Sequence, residues 1–189
     1  MDRYHIALFI HIVALIVAAS ATAVTKLAAG RRARARTVGE ALDWHSVLTS
    51  ASKLFPISLA AFVITGFYML SRTGLAIWST GFVVAGLVGV VLLLASGVFL
   101  ATKGKALALF LEQIAKHGAD QPAPKLVPPA LIAALPVINT GIALSVVFDM
   151  VTKPASVPLA LSVVALGIAI SAAAAMRGGA PATKGVRAT

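Results

Sequence analysis

The side chains able to do acid–base or ligand chemistry are few: 4 His, 6 Asp and Glu together, and no Cys in 189 residues. Without cysteine there is no disulfide, no thiolate metal site and no thiol nucleophile. The chain has no glycine-rich phosphate loop after a strand, no His-Glu-x-x-His and no pair of carboxylates inside an apolar run. What it has is a handful of polar residues inside or bordering apolar stretches: His11, Asn139, Thr140, Asp149 and, just beyond, Lys153. In hydrocarbon such residues are costly, and they mark either a site or an interhelical contact. As a neutral imidazole, His11 could ligate a haem iron or a metal, or relay a proton. The plainer alternative is a hydrogen bond to a neighbouring helix. His5 lies six residues away, about 600° around a helix, so the two share no face. Asn139 and Thr140 could line a path for an ion or small molecule, or bond across helices. Asp149 and Lys153 are four apart and could pair if their helix extends that far. No catalytic residue and no metal-ligand set is assigned.

The elements that must hold these residues are set by composition. The chain is 59% hydrophobic and 12% charged, with a mean hydropathy of +0.96. A soluble domain of this size needs far more charge on its surface. The apolar residues fall in blocks of about 20, enough to cross a bilayer as helices. The expected architecture is all-α: a polytopic helical membrane bundle in one domain, 1–176, followed by a cytoplasmic tail, 177–189. Five spans are predicted, at about 4–29, 54–70, 80–102, 130–150 and 158–176. Ser20-Ala21-Thr22-Ala23 loosely resembles a leader cleavage site, but the apolar run before it is too long for one, so the first span reads as retained.

Between the first two spans lies Arg31-Arg32-Ala33-Arg34-Ala35-Arg36, four arginines in six residues. Such a loop resists translocation and fixes orientation. With it inside, twelve of the 16 Lys and Arg residues fall on the cytoplasmic side, and only Arg3, Arg72 and Lys153 fall outside. Five spans with the N-terminus out and the C-terminus in therefore satisfy the positive-inside rule. His11 then lies in the outer half, and His45 and His117 on the cytoplasmic side, which disfavours a bis-histidine haem within one chain. The net charge of +10 reads as topology, with anionic-lipid contact at Arg31, Arg32, Arg34 and Arg36, and no nucleic acid as partner.

Thr37-Val38-Gly39-Glu40 has capping-box spacing and predicts a helix from Val38. Its polar face would be Asp43, Ser46, Ser50 and Lys53 and its apolar face Ala41, Trp44, Leu48, Ala51 and Phe55, a helix lying in the cytoplasmic interface. Leu107, Phe110, Leu111 and Ile114 follow helical spacing on the cytoplasmic side, with Glu112 and Lys116 four apart and Gly118 as a stop, either as a helix of their own or as a continuation of the third span through Gly104. Gln121 to Pro129 reads as a linker. A weak echo between Leu54-Phe55-Pro56-Ile57 and Leu135-Pro136-Val137-Ile138, each followed by Met and then a base, would fit a duplicated hairpin.

The first span, with Phe9-Ile10-His11-Ile12-Val13 before a basic loop, and the ending Phe148-Asp149-Met150-Val151-Thr152-Lys153-Pro154 resemble small bacterial integral membrane proteins of unknown function. These are distantly similar to the CopD copper-resistance membrane domain and to HemJ, the protoporphyrinogen oxidase. The resemblance implies a bacterial inner-membrane location, and it would give His11 and Lys153 roles in binding haem b. Three expectations follow: a membrane protein binding haem or another small ligand near His11, a structural or accessory subunit with protein partners or a homo-oligomer, or a small transporter or channel using Asn139.

Overall fold

The computed structural model describes residues 2–125 and 128–178, all of it helical apart from turns and a single isolated bridge between Thr37 and Pro122. The elements are α1 (Arg3–Arg32), α2 (Val38–Ser52), α3 (Leu54–Thr73), a short 3-10 turn (Ile77–Ser79), α4 (Gly81–Ala115), α5 (Ala130–Thr152) and α6 (Val157–Gly178). Five stretches are long and apolar enough to cross a membrane: α1, α2 with α3, α4, α5 and α6. The chain is thus all-helical, with the composition of a multi-pass membrane protein. The tail expected from 177 lies outside the described residues beyond Gly178. Contacts group the chain into two compact units, Met1–Ala76 with Gly97–Val127 and Ile77–Ser96 with Pro128–Thr189.

In the first unit, α1 packs on α3 and α2. Its buried residues are Ala7, Ala14, Ala21 and Ala28, one every seven residues. With His11, Ala18, Thr25 and Arg32 between and beyond them, they make a seam of alternating four- and three-residue steps. A 3.5-residue repeat is the geometry that keeps one helix face on its neighbour, and small side chains let the backbones come close. Only two positions in that seam are large and polar, His11 and Arg32.

The capping box forms. Thr37 Oγ1 accepts from the Glu40 amide at 3.2 Å, and the Glu40 carboxylate accepts from the Arg36 amide at 2.9 Å, one residue before the expected one. The next two amides, Val38 and Gly39, donate to the carbonyls of Gln121 and Ala119 at 3.0 Å each. The start of the stretch read as a linker is therefore tied to the α2 N-terminus, and Ala123 N–H returns to the Arg36 carbonyl at 2.9 Å. Thr37→Ala should cost about 1 kcal/mol, read as a lowered unfolding midpoint in detergent. Equal midpoints would show that the loop carbonyls alone hold this end.

The faces of α2 match the sequence pattern: Asp43, Ser46, Ser50 and Lys53 are exposed, while Val38 and Ala41 are buried with Leu111 of α4. Pro56 lacks an amide hydrogen for the Ser52 carbonyl, so the ladder breaks between α2 and α3 at Lys53. Of the two readings of the stretch around Leu107, the continuation of the third span holds. Helix α4 continues unbroken for 35 residues, about 52 Å, its first sixteen residues in the second unit and the rest in the first. Helix α4 ends at Ala115, and Gly118 follows at φ +134°. Glu112 and Lys116 form no ion pair. Among the described residues the one close acid–base contact is His5 Nδ1 to Asp2 Oδ2, at 4.0 Å.

In the second unit α5 and α6 pack together, with Ala85 of α4 buried against Ala160 and Val164. The sequences Gly141-Ile-Ala-Leu-Ser145 and Gly167-Ile-Ala-Ile-Ser171 nearly repeat, and they meet reciprocally. A Cβ on Gly141 would strike Ser171 Oγ and lie 2.6 Å from the Gly167 carbonyl, while one on Gly167 would strike Ser145 Oγ and lie 3.0 Å from the Gly141 carbonyl. Each glycine makes room for the other helix's serine. The two proline-led helices of the sequence echo thus sit in different surroundings, α3 on α1 and α5 on α6.

Candidate functional site

His11 projects from the α1 seam onto α3. Its Nδ1 lies 2.9 Å from Thr65 Oγ1. The single hydroxyl hydrogen of Thr65 is directed to the Ala61 carbonyl at 2.6 Å, so Oγ1 accepts and the His11 Nδ1–H donates. This choice of tautomer follows from the hydrogen-bond network, and it leaves Nε2 with its lone pair. The imidazole is tilted against the Phe62 ring, centroids 3.7 Å apart at 33°. Gly66 lies alongside, where an added Cβ would be 3.7 Å from His11 Cε1. A half-buried histidine held by one nitrogen and by ring packing can present the other nitrogen to a metal, to haem iron or to a proton donor. It is also the interhelical contact that the plainer reading expects.

The other residues picked from the sequence separate. Asn139 Oδ1 is 2.8 Å from Ser96 Oγ, an α4–α5 clasp inside the second unit. Thr140 Oγ1 donates to the Pro136 carbonyl of its own helix at 2.9 Å. Asp149 is completely buried in the last turn of α5, and neither carboxylate oxygen has a hydrogen-bond partner. Lys153 does not pair with it. Lys153 caps α5 in the left-handed conformation (φ 49°, ψ 57°), its amide donating to the Asp149 carbonyl at 2.8 Å and its side chain exposed. A non-glycine residue in that conformation carries strain of about 1–2 kcal/mol. His11 belongs to the first unit and Asp149 and Lys153 to the second.

A second polar contact in the first unit went unread in the sequence. Arg32 Nη1 donates to His45 Nδ1 at 2.9 Å. His45 is buried on the inner face of α2, one turn after Ala41, with Glu112 of α4 as the nearest acid and Gly104 beside its Cε1. The signal was present: the alanine seam extends by the same steps to Arg32. His5 is exposed, edge-on to Tyr4. His117 lines a shallow, open hollow of about 400 Å³ with Phe110, Gln113, Ile114 and Gln121. No group of three or more His, Cys, Asp or Glu suited to a metal ion occurs among the described residues.

No family model matches this chain, and neither a curated protein nor a solved structure is similar to it.

Proposed function

We propose that this protein spans the bacterial cytoplasmic membrane five times, N-terminus out, and binds a small ligand through Nε2 of His11, with haem b the first candidate. The observation that carries the reading is the orientation of His11. Thr65 consumes Nδ1–H, Phe62 and Gly66 hold the ring, and the metal-binding nitrogen is left with its lone pair. A histidine ligand to iron or zinc normally has its other nitrogen held in this way. The residues present fit haem to the extent of one ligand, which His11 would supply. Bound there, haem would supply one-electron redox chemistry. The chain's own part is to hold His11 neutral and oriented.

The topology rests on the asymmetry of basic residues, and the first loop supports it. Arg31, Arg34 and Arg36 are exposed, and the Arg31 guanidinium lies 5.9 Å from the centre of the Trp44 ring. That pairing suits a headgroup layer, where an indole and a base meet anionic lipid. Arg32 turns inward to His45, so the lipid contact is assigned to the other three. On this reading α2 lies in the cytoplasmic interface.

The test is the absorption spectrum of the purified protein, oxidised and then reduced, with haemin titrated into any apoprotein. A Soret band that shifts on reduction is expected in the wild type and should be lost in His11→Ala. Thr65→Val should retain haem with weakened affinity, about tenfold or more, as for other outer-shell partners of a ligating histidine. A featureless spectrum that haemin does not change would end the haem reading.

A further inference from the structure

Asp149 is the one acidic residue among the described residues of the second unit, whose other charged side chains are Lys153 and Arg177. It is 0% exposed, and both its carboxylate oxygens lack a partner. Three features make a bare negative charge untenable there. The group is out of contact with water, and an isolated carboxylate in such a setting is strongly disfavoured in its charged form. It sits in the last turn of α5, where the helix dipole is already negative. Its one basic neighbour along the helix, Lys153, is carried off by the left-handed cap and exposed. Helices α4 and α6, packed in the same unit, bring no base near it, since Arg177 stands at the far end of α6.

Beyond Lys153 the chain turns, and the carbonyls of Pro154 and Ser156 come so close to Gly81 that a Cβ there would lie 2.6 Å from each. The Ser156 carbonyl accepts from the Ala160 amide at 3.2 Å, so what the end of α5 offers a cation is an unpartnered carboxylate and a helix C-terminus, both of which attract positive charge.

We propose that Asp149 is the anchor of a monovalent-cation site, taking a proton or a sodium ion. The proposal is independent of His11 and of any haem. Helix C-termini inside membrane bundles are among the groups that coordinate such ions in transporters. No covalent step is involved: the carboxylate exchanges one cation with the solvent.

Infrared difference spectroscopy on the wild-type protein in detergent tests this without a variant. The other five acids, Asp2, Glu40, Asp43, Glu112 and Asp120, are all exposed, so at pH 7 a protonated-carboxyl stretch can come from Asp149 alone. If the cation is a proton, that band is present at pH 7, shifts in D2O and disappears as pH rises, and acidification raises the thermal midpoint. If it is sodium, the band is absent, and replacing potassium by sodium at constant ionic strength shifts the carboxylate stretch and raises the midpoint. Asp149→Asn, which keeps size and removes the charge, should abolish whichever dependence is seen. No protonated band together with no response to sodium overturns the proposal. So does a dependence that survives unchanged in Asp149→Asn.

Discussion

Gly141→Leu will unfasten α5 from α6, with a loss of about 3 kcal/mol or more in unfolding free energy, at the upper end of overpacking penalties. Even the first carbon is too much. A Cβ at Gly141 meets Ser171 Oγ, which can rotate away, but also the Gly167 carbonyl at 2.6 Å and Ser171 Cβ at 2.9 Å, which cannot. Gly141→Ala should therefore cost about 2 kcal/mol, and Ser171→Ala should recover only part of it, because the backbone carbonyl remains. The reciprocal change Gly167→Ala meets the Gly141 carbonyl at 3.0 Å and should be milder. The control is Ala169→Leu on the exposed face of α6, expected within about 0.5 kcal/mol of wild type. Unfolding midpoints in mild detergent decide the matter. If Gly141→Leu and Ala169→Leu behave alike, the reciprocal Gly-x-x-x-Ser contact is not what joins these helices.

His45→Leu will cost about 2 kcal/mol, in the range for losing a hydrogen bond to a charged group. The leucine fills much of the volume of the imidazole, so the loss is chiefly that of the acceptor for Arg32. The guanidinium is half-buried, and its Nη1 would be left facing apolar surface. His45→Asn places an amide oxygen near the former Nδ1 and should recover most of the stability. A leucine variant as stable as wild type would mean that Arg32 finds water or another acceptor at no cost. Cleavage after Arg32 by a basic-specific protease gives a second readout. The bond should be cut faster in His45→Leu than in wild type, while the exposed Arg34 and Arg36 should be cut at the same rate in both.

The helical architecture was legible because apolar blocks of about 20 residues leave few alternatives. All five predicted spans fall on helices, and the start at Val38 came from the chemistry of Thr37 and Glu40. The ends were less legible. Helix α4 runs through Gly97 and Gly104 to Ala115 because glycine weakens a helix by only about 1 kcal/mol, less than Leu107 and Leu111 return by packing on α2. The polar residues divided by what they face. His11 and Asn139 were visible as anomalies in apolar sequence, whereas their partners Thr65 and Ser96 are ordinary residues for a membrane helix and gave no warning. Asp149 was read with Lys153 because four residues separate them. The left-handed turn at Lys153 breaks that rule, since i to i+4 pairing holds only while the helix continues. The near-identity of the segments starting at Gly141 and Gly167 was the plainest missed signal, five residues long and 26 apart.

The two polar interruptions of the α1 seam, His11 and Arg32, are 21 residues apart, about 31 Å along a helix. Only Ala14, Ala18, Ala21, Thr25 and Ala28 lie between them on the seam, so α1 carries a polar fastening at two heights, His11 to α3 and Arg32 to α2. Sliding α1 alone would break both fastenings at once. The register of α1 against both neighbours is therefore set by the spacing of two side chains, one held by Thr65 of α3 and the other by His45 of α2.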